Sequence, residues 1–298
     1  MSTPNRKPKK LKKKLPIMKF GLKPKTEDKR DFKVTQLGGF LTPDIFDLPK
    51  KYLIGEPELK NQLNTLFCTL FSMSSILEPK EEAVLSPEFW AKEATKAYGE
   101  NWPNEGLEQR QACKLALKGA LEANKVVYPL AQYGAEFVAN PVNYKAEQDR
   151  YALEHAQSAY FEIKPLGELD LFDSIRYTLW KFRDEKRGAV AGMLWDMEWI
   201  RPEIIDTEGR AGGGHQVAII GWQDDYLIIQ NSYGTSAGKN GRHLFSRDIV
   251  NKRFNLGLSI FKDCSPEEIE RLKKENAPKK VSWFRQWWNI LMRKKMLK

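Results

Sequence analysis

The chain is poor in the residues from which metal and disulfide sites are built. Its 298 residues include 3 cysteines and 3 histidines. Cys68, Cys113 and Cys264 are far apart and form no CxxC pair, which argues against a disulfide framework and against a cysteine-rich zinc site. The scattered histidines give no metal-ligand spacing. The expectation is therefore a protein without metal or cofactor, in the cytoplasm or another reducing compartment. Long apolar runs are lacking too. The longest, 188–195, is too short to cross a bilayer, and 15–22, broken by Pro16 and Lys19, is too short for a signal-peptide core. Charge of one sign is also missing outside the amino-terminal tail. The net charge of +10 arises within residues 1–30, where twelve Lys/Arg face two acids, while the rest of the chain holds 37 of each sign. Basicity in a tail says nothing about what a folded part binds.

What is present reads in blocks. Residues 1–30, rich in Lys and Pro and without periodicity, read as a basic disordered tail. Heavy Gly/Pro punctuation over 31–60 suggests an extended arm. Asn64 and Thr65 then offer a cap for a helix with body Leu66, Phe67, Cys68, Leu70, Phe71, Met73, Ile76 and Leu77, apolar nearly all round as a central helix should be. Ser86-Pro87 opens a second helix, 107–123 has helical spacing for a third, and Asp170 precedes a fourth. Thereafter 188–195, 216–222, 226–230 and 243–246 read as strands, with a hairpin at 223–225. Helices first and strands later indicate an α+β protein with two lobes: a helical lobe over about 60–165, a β-rich lobe over about 166–263, and a helical appendage over 264–298.

One constellation carries chemistry. Cys68 falls in the first turn of its helix, where unpaired backbone N–H groups and the helix dipole lower a thiol pKa. Gln62, at the start of the same segment, can donate an amide hydrogen bond to an oxyanion beside the Cys68 N–H. His155 lies in a polar stretch with nothing to orient it, and His243 reads as structural. His215 follows Gly212, Gly213 and Gly214, which permit close backbone approach beside an open cleft. Asn231, across the hairpin, can hold the second ring nitrogen of His215 and fix its tautomer.

Gln62 through Leu66-Phe67-Cys68, then Gly213-Gly214-His215, then Asn231-Ser232-Tyr233-Gly234-Thr235 with Gly238, Asn240 and Gly241, resemble the papain-like cysteine peptidases in order and spacing, with His and Asn roughly 150 residues after the nucleophile. Leu48-Pro49 and Leu85-Ser86-Pro87 look like the family as well. The resemblance covers about 30–263. It implies a papain-like two-lobed fold with the active site in the cleft between lobes, and a cysteine endopeptidase in which Cys68 attacks, His215 relays the proton, Asn231 holds His215 and Gln62 completes the oxyanion hole. The chain departs from the pattern at Leu66-Phe67, where Gly-Ser is usual; two bulky groups are expected to crowd the substrate cleft, whose other walls are Gly213, Gly214 and Tyr233. Tyr233 stands where a Trp usually shields the His–Asn pair. The long helical propeptide of lysosomal relatives is missing. A non-catalytic scaffold, a particle- or membrane-associated protein, and a thiol acyl transferase or amidase using the same residues stay open at this level.

Two serine- and phosphate-type motifs fail on context. Gly234–Gly238 matches G-x-S-x-G but lacks a following helix, and 234–239 is one residue short of a phosphate loop. The tails suggest partners. Arg6 through Lys14 can attract an anionic surface, lipid or nucleic acid. Phe284, Trp287, Trp288 and Leu291 form one stripe of a basic helix within 283–298, suited to a partner protein, the chain's own catalytic domain or a membrane surface.

Overall fold

The structure, a computed structural model, describes residues 19–38, 48–125 and 146–277. Arg6 to Lys14 and the Trp-rich segment 283–298 lie outside the described residues. Helices come first: α1 (Cys68–Glu81), α2 (Pro87–Tyr98), α3 (Trp102–Glu105), α4 (Gln109–Ala116) and α5 (Ala146–Ala152). The strand β1 (Lys51–Leu53) precedes them, and β2 (Ala159–Glu162), α6 (Leu171–Lys181), β3 (Ala189–Asp196), β4 (Ile204–Ile205), β5 (Ala211–Gln223), β6 (Tyr226–Gln230), β7 (Arg242–Ser246), α7 (Arg247–Arg253), β8 (Gly257–Lys262) and α8 (Pro266–Asn276) follow. Among the described residues no helix is long and apolar enough to cross a membrane.

Caps written in the sequence are used. Ser86 accepts a hydrogen bond from the Phe89 N–H at 3.3 Å with Pro87 in the first turn, Asp170 accepts from the Asp173 N–H at 2.9 Å, and Ser265 accepts from the Glu268 N–H at 3.2 Å. Other boundaries differ from the reading above. α1 begins at Cys68 rather than near Leu66, because the Thr65 hydroxyl donates to the Gln62 carbonyl at 2.6 Å and caps nothing. α4 is half the expected length and stops at Ala116.

Among the described residues the strands form one sheet in the order β2-β8-β3-β5-β6-β7-β4, with β1 pairing β5 beside it. All pairs are antiparallel except β4 with β7. Strand alternation gives each face its own core. On β5, Val217 and Ile219 join Met193, Trp195, Phe172, Ile175 and Phe245 on one side. Ala218 and Ile220 join Ile76, Leu70, Phe71, Trp90 and Ala112 on the other, under α1. A strand buried on both faces reads as a near-continuous apolar run, which is why 216–222 stood out in the sequence.

The division into a helical and a β lobe at about 166 does not follow the hydrogen bonding. Residues Ala159–Glu162 form β2 and pair with β8, and the helical core uses one face of the shared sheet. The tail assignment also changes. Residues 19–30, read as disordered from composition, are laid against the folded chain: Lys23 pairs Glu105 at 2.8 Å, Lys25 pairs Glu162, and Arg110 reaches Asp31 at 2.6 Å and the Thr26 carbonyl at 2.6 Å. Lysine-rich composition predicts solvation only where no acidic surface lies opposite. Here Glu105 of α3 and Glu162 of β2 supply one, while Arg110 of α4 takes up Asp31.

Helix α1 is buried along its first eleven residues, from Cys68 to Glu78, so its docking on the sheet should dominate stability. Ile76, at 1% exposure, is expected to cost about 2–5 kcal/mol when cut to alanine. Ile204, at 47% exposure, should cost under about 0.5 kcal/mol. Denaturant-unfolding midpoints of the two variants check this, and equal shifts would contradict the central role of α1.

Candidate active site

β5 and β6 set the site. Ala218 on β5 faces Gln230 at the end of β6, so the next residue, Asn231, arrives beside the stretch that carries His215. The Asn231 N–H donates to the Gly241 carbonyl at 2.9 Å and fixes the chain there. The result is a side-chain hydrogen bond of 3.0 Å between His215 Nε2 and Asn231 Oδ1. Asn231 Oδ1 also accepts from the Ser232 N–H at 2.8 Å. His215 Nδ1 is buried and has no hydrogen-bond partner among the described residues. Tyr233 stacks on the imidazole at 5.3 Å and 17°, and Trp195 packs edge-on at 5.1 Å.

Cys68 is the first residue of α1. The backbone N–H groups of Cys68, Thr69, Gln216 and Gly21 act to lower its thiol pKa. Gln216, the neighbour of His215 on β5, has its Nε2 3.4 Å from the Thr69 carbonyl, which brings the start of α1 next to the histidine strand. Gln62 is fully buried: its N–H donates to the Ser232 carbonyl at 2.7 Å, its Oε1 accepts from the Ser232 hydroxyl, and its Nε2 donates to the Thr65 carbonyl at 2.8 Å. Gln62, Cys68, His215 and Asn231 thus converge on one place.

Phe67 does not line that place. It is fully buried and stacks on Trp102 at 4.7 Å inside the helical core, so it cannot crowd the cleft. Only Leu66, half-buried, stays beside it, through its backbone. His155 is not isolated: its Nδ1 is 3.0 Å from Glu81 Oε2, which orients it away from this chemistry.

The cleft is filled by the chain's own residues 19–23. Leu22 donates its N–H to the Gly214 carbonyl at 2.9 Å, the Leu107 N–H donates to the Gly21 carbonyl at 2.9 Å, and the Lys23 N–H donates to the Leu107 carbonyl at 3.0 Å. The Lys19 carbonyl accepts from the Tyr233 hydroxyl at 2.9 Å and lies 3.5 Å from Gln62 Nε2. Phe20 packs edge-on to His215 at 5.9 Å. The fit has no slack. A Cβ at Gly21 would stand 1.8 Å from the Leu66 carbonyl oxygen, one at Gly214 2.2 Å from the Leu22 oxygen, and one at Gly106 1.9 Å from the Gly21 oxygen.

This strap inverts the electrostatics expected from helix position alone. Burial pushes the Cys68 thiol up to about 11, against the pull of the four N–H groups. Burial pulls His215 down to about 4, with the Asn231 hydrogen bond opposing it. In the strapped state both groups are neutral at neutral pH, the reverse of the low-pKa thiolate that the first-turn position suggests. Desolvation outweighs the helix dipole because no water reaches either atom. Phe20, Gly21 and Leu22 carry no local signal that marks them as cleft residues, since they sit in a stretch dominated by lysine and proline. Trp195 could have been found as an aromatic in the strand that flanks the histidine strand.

No protein-family model matches the chain, and no curated protein matches it in sequence. Solved structures do match in shape. Xylellain, a cysteine protease from Xylella fastidiosa, is 18% identical over 83% of this chain and 96% of its own, with a TM-score of 0.65. Procathepsin L 3 of Tenebrio molitor larval midgut is 15% identical over 78% of this chain and 76% of its own, at 0.57. The Carica candamarcensis cysteine protease CMS1MS2, in complex with E-64, is 15% identical over 72% of this chain and 99% of its own, at 0.52. With helices packed on both faces of a mostly antiparallel sheet, this chain has the fold of the papain-like cysteine proteases.

Proposed function

We propose that the protein is a cysteine endopeptidase held latent by its own residues 19–23. The observation that carries this reading is the hydrogen bond between His215 Nε2 and Asn231 Oδ1, which leaves Nδ1 as the bare nitrogen beside the Cys68 segment. Once the cleft is open, His215 Nδ1 takes the Cys68 proton and the thiolate attacks a peptide carbonyl carbon. The oxyanion is met by the Cys68 N–H and Gln62 Nε2. His215 then protonates the departing amine, leaving a thioester that water, deprotonated by His215, hydrolyses. Asn231 holds the ring throughout. Peptide is the substrate class, as a protease fold and a cleft made to hold extended backbone suggest.

Latency is supported by the direction in which the strap lies. Its bridge to Leu107 is parallel, and its Leu22 N–H donates to the Gly214 carbonyl beside His215. Two structural neighbours, a digestive procathepsin L and a ragweed protease in its proform, are themselves precursors.

Several measurements bear on this. Cys68→Ala should abolish cleavage of a diverse peptide library. Gln62→Ala should lower kcat by about 10²–10³-fold while leaving thiol reactivity intact; an effect confined to KM would refute the oxyanion role. Gly21→Val, whose side chain collides with Leu66, should dislodge the strap and raise both turnover and iodoacetamide alkylation of Cys68 at least tenfold, since apparent activity scales with the open fraction. Alkylation unchanged by Gly21→Val would remove the latency claim while leaving the peptidase claim standing.

The pH dependence follows from burial. His215 and His243 are both depressed from 6.5 to about 4, so the stability they contribute is complete above pH 6.5 and lost as pH falls toward 4. Cys68 is raised from 9.0 to about 11, so its contribution is complete below pH 9 and lost as pH climbs toward 11. The unfolding temperature should therefore plateau between roughly pH 6.5 and 9 and fall on either side. His215→Phe should flatten part of the acid limb; an unchanged limb would contradict the assignment.

A further inference from the structure

His243 lies behind Asn231, on the side away from His215. It sits on β7 opposite Ile229 of β6 and is fully buried. Its Nδ1 is 2.8 Å from the Pro202 carbonyl oxygen. A carbonyl can only accept, so Nδ1 carries the proton and Nε2 presents a lone pair. That lone pair faces Asn231 Nδ2 at 3.4 Å. The Trp195 indole packs edge-on against both imidazoles, His215 at 5.1 Å and His243 at 5.5 Å, and Phe245 packs edge-on against His243 at 6.2 Å. The ring has one place to be, and its polarity is dictated by Pro202.

A carboxamide is nearly symmetric in shape but not in function. With Oδ1 toward His215, the imidazole must carry its proton on Nε2, and Nδ1 is free to accept a proton from a thiol. With Nδ2 toward His215, the imidazole must instead be protonated on Nδ1, and it can no longer act as that base. Asn231 Nδ2 has His243 Nε2 as its side-chain partner, while Oδ1 is additionally held by the Ser232 N–H at 2.8 Å.

We infer that His243 is a positioning residue for the Cys68–His215 pair, acting through Asn231: the chain Pro202 C=O, His243, Asn231, His215 fixes a single hydrogen-bond direction and so selects the His215 tautomer that can accept the thiol proton. Burial keeps His243 neutral through the neutral range, so the lone pair is present there. His243 touches no reacting atom. Its kinetic consequence rests on the peptidase reading above; its effect on the imidazole does not.

The test uses the full chain. His243→Leu removes the acceptor and is expected to lower kcat about tenfold with KM unchanged, the scale of one lost orienting hydrogen bond. His243→Gln, which keeps a donor and an acceptor on a planar end, should recover activity to within about threefold of the parent. In an Asn231→Ala background, His243→Leu should cost nothing further, since its effect runs through that amide. A full additional loss there, or failure of the glutamine variant to rescue a folded protein, would overturn the inference. With only three histidines in the chain, nitrogen-15 spectra give a readout independent of any substrate. The expected pattern is His243 protonated on Nδ1 and His215 on Nε2, with the His215 tautomer becoming mixed in His243→Leu. A His215 tautomer untouched by that substitution would overturn the positioning role even if no peptide were ever cleaved; absence of turnover in every strap-opened variant would instead count against the peptidase reading alone.

Discussion

The antiparallel register among β5, β6 and β7 is the constraint on which the site depends. It sets Gln230 against Ala218 and Ile229 against His243, and in doing so lines up His215, Asn231 and His243 within one buried hydrogen-bonded row. A shift of one residue in either pair would turn these side chains to the opposite face. Such a shift is opposed by two cores at once, because alternate residues of β5 are buried on both sides of the sheet. Site geometry is thus secured by hydrophobic packing far larger in energy than the hydrogen bonds it serves.

Helix α1 supplies the second half by the same logic. It is held against the sheet along most of its length, and Gln216 ties it polar-to-polar, donating to the Ser72 hydroxyl at 2.8 Å. This contact carries the N-terminal part of α1, and Cys68 with it, to the strand that bears His215. The strap completes the arrangement in an unexpected way. It removes water from both groups, and burial then favours two neutral partners over an ion pair. A thiol at a helix N-terminus and a histidine beside it are therefore only conditionally reactive, with solvent access as the condition.

Much of the fold was legible in the sequence because the relevant signals are local. Ser86-Pro87, Asp170 and Ser265 announce their helices through capping, and the apolar runs of β3, β5 and β6 announce strands. The strands β1, β2 and β4, of three, four and two residues, carry too little periodicity to be read, and the six-residue β8 is distinguished mainly by its partners β2 and β3. The end of α4 was missed because alanine and leucine continue at helical spacing beyond it, and only tertiary contact stops the helix.

The same division runs through the site. Sequence order and residue type alone pointed to Gln62, Cys68, His215 and Asn231 as the candidate set, because side-chain chemistry restricts which residues could serve as nucleophile, base and orienter. They determined the two-lobed α+β class through the order of helices and strands. Only the tertiary structure decided that Phe67 turns into the helical core, that His243 stands behind Asn231, and that Phe20, Gly21 and Leu22 fill the cleft. Each of these is a contact between residues distant in the chain, settled by where an imidazole, an aromatic ring or a glycine finds matching space. A linear pattern records what a residue can do; the packed fold fixes what it meets.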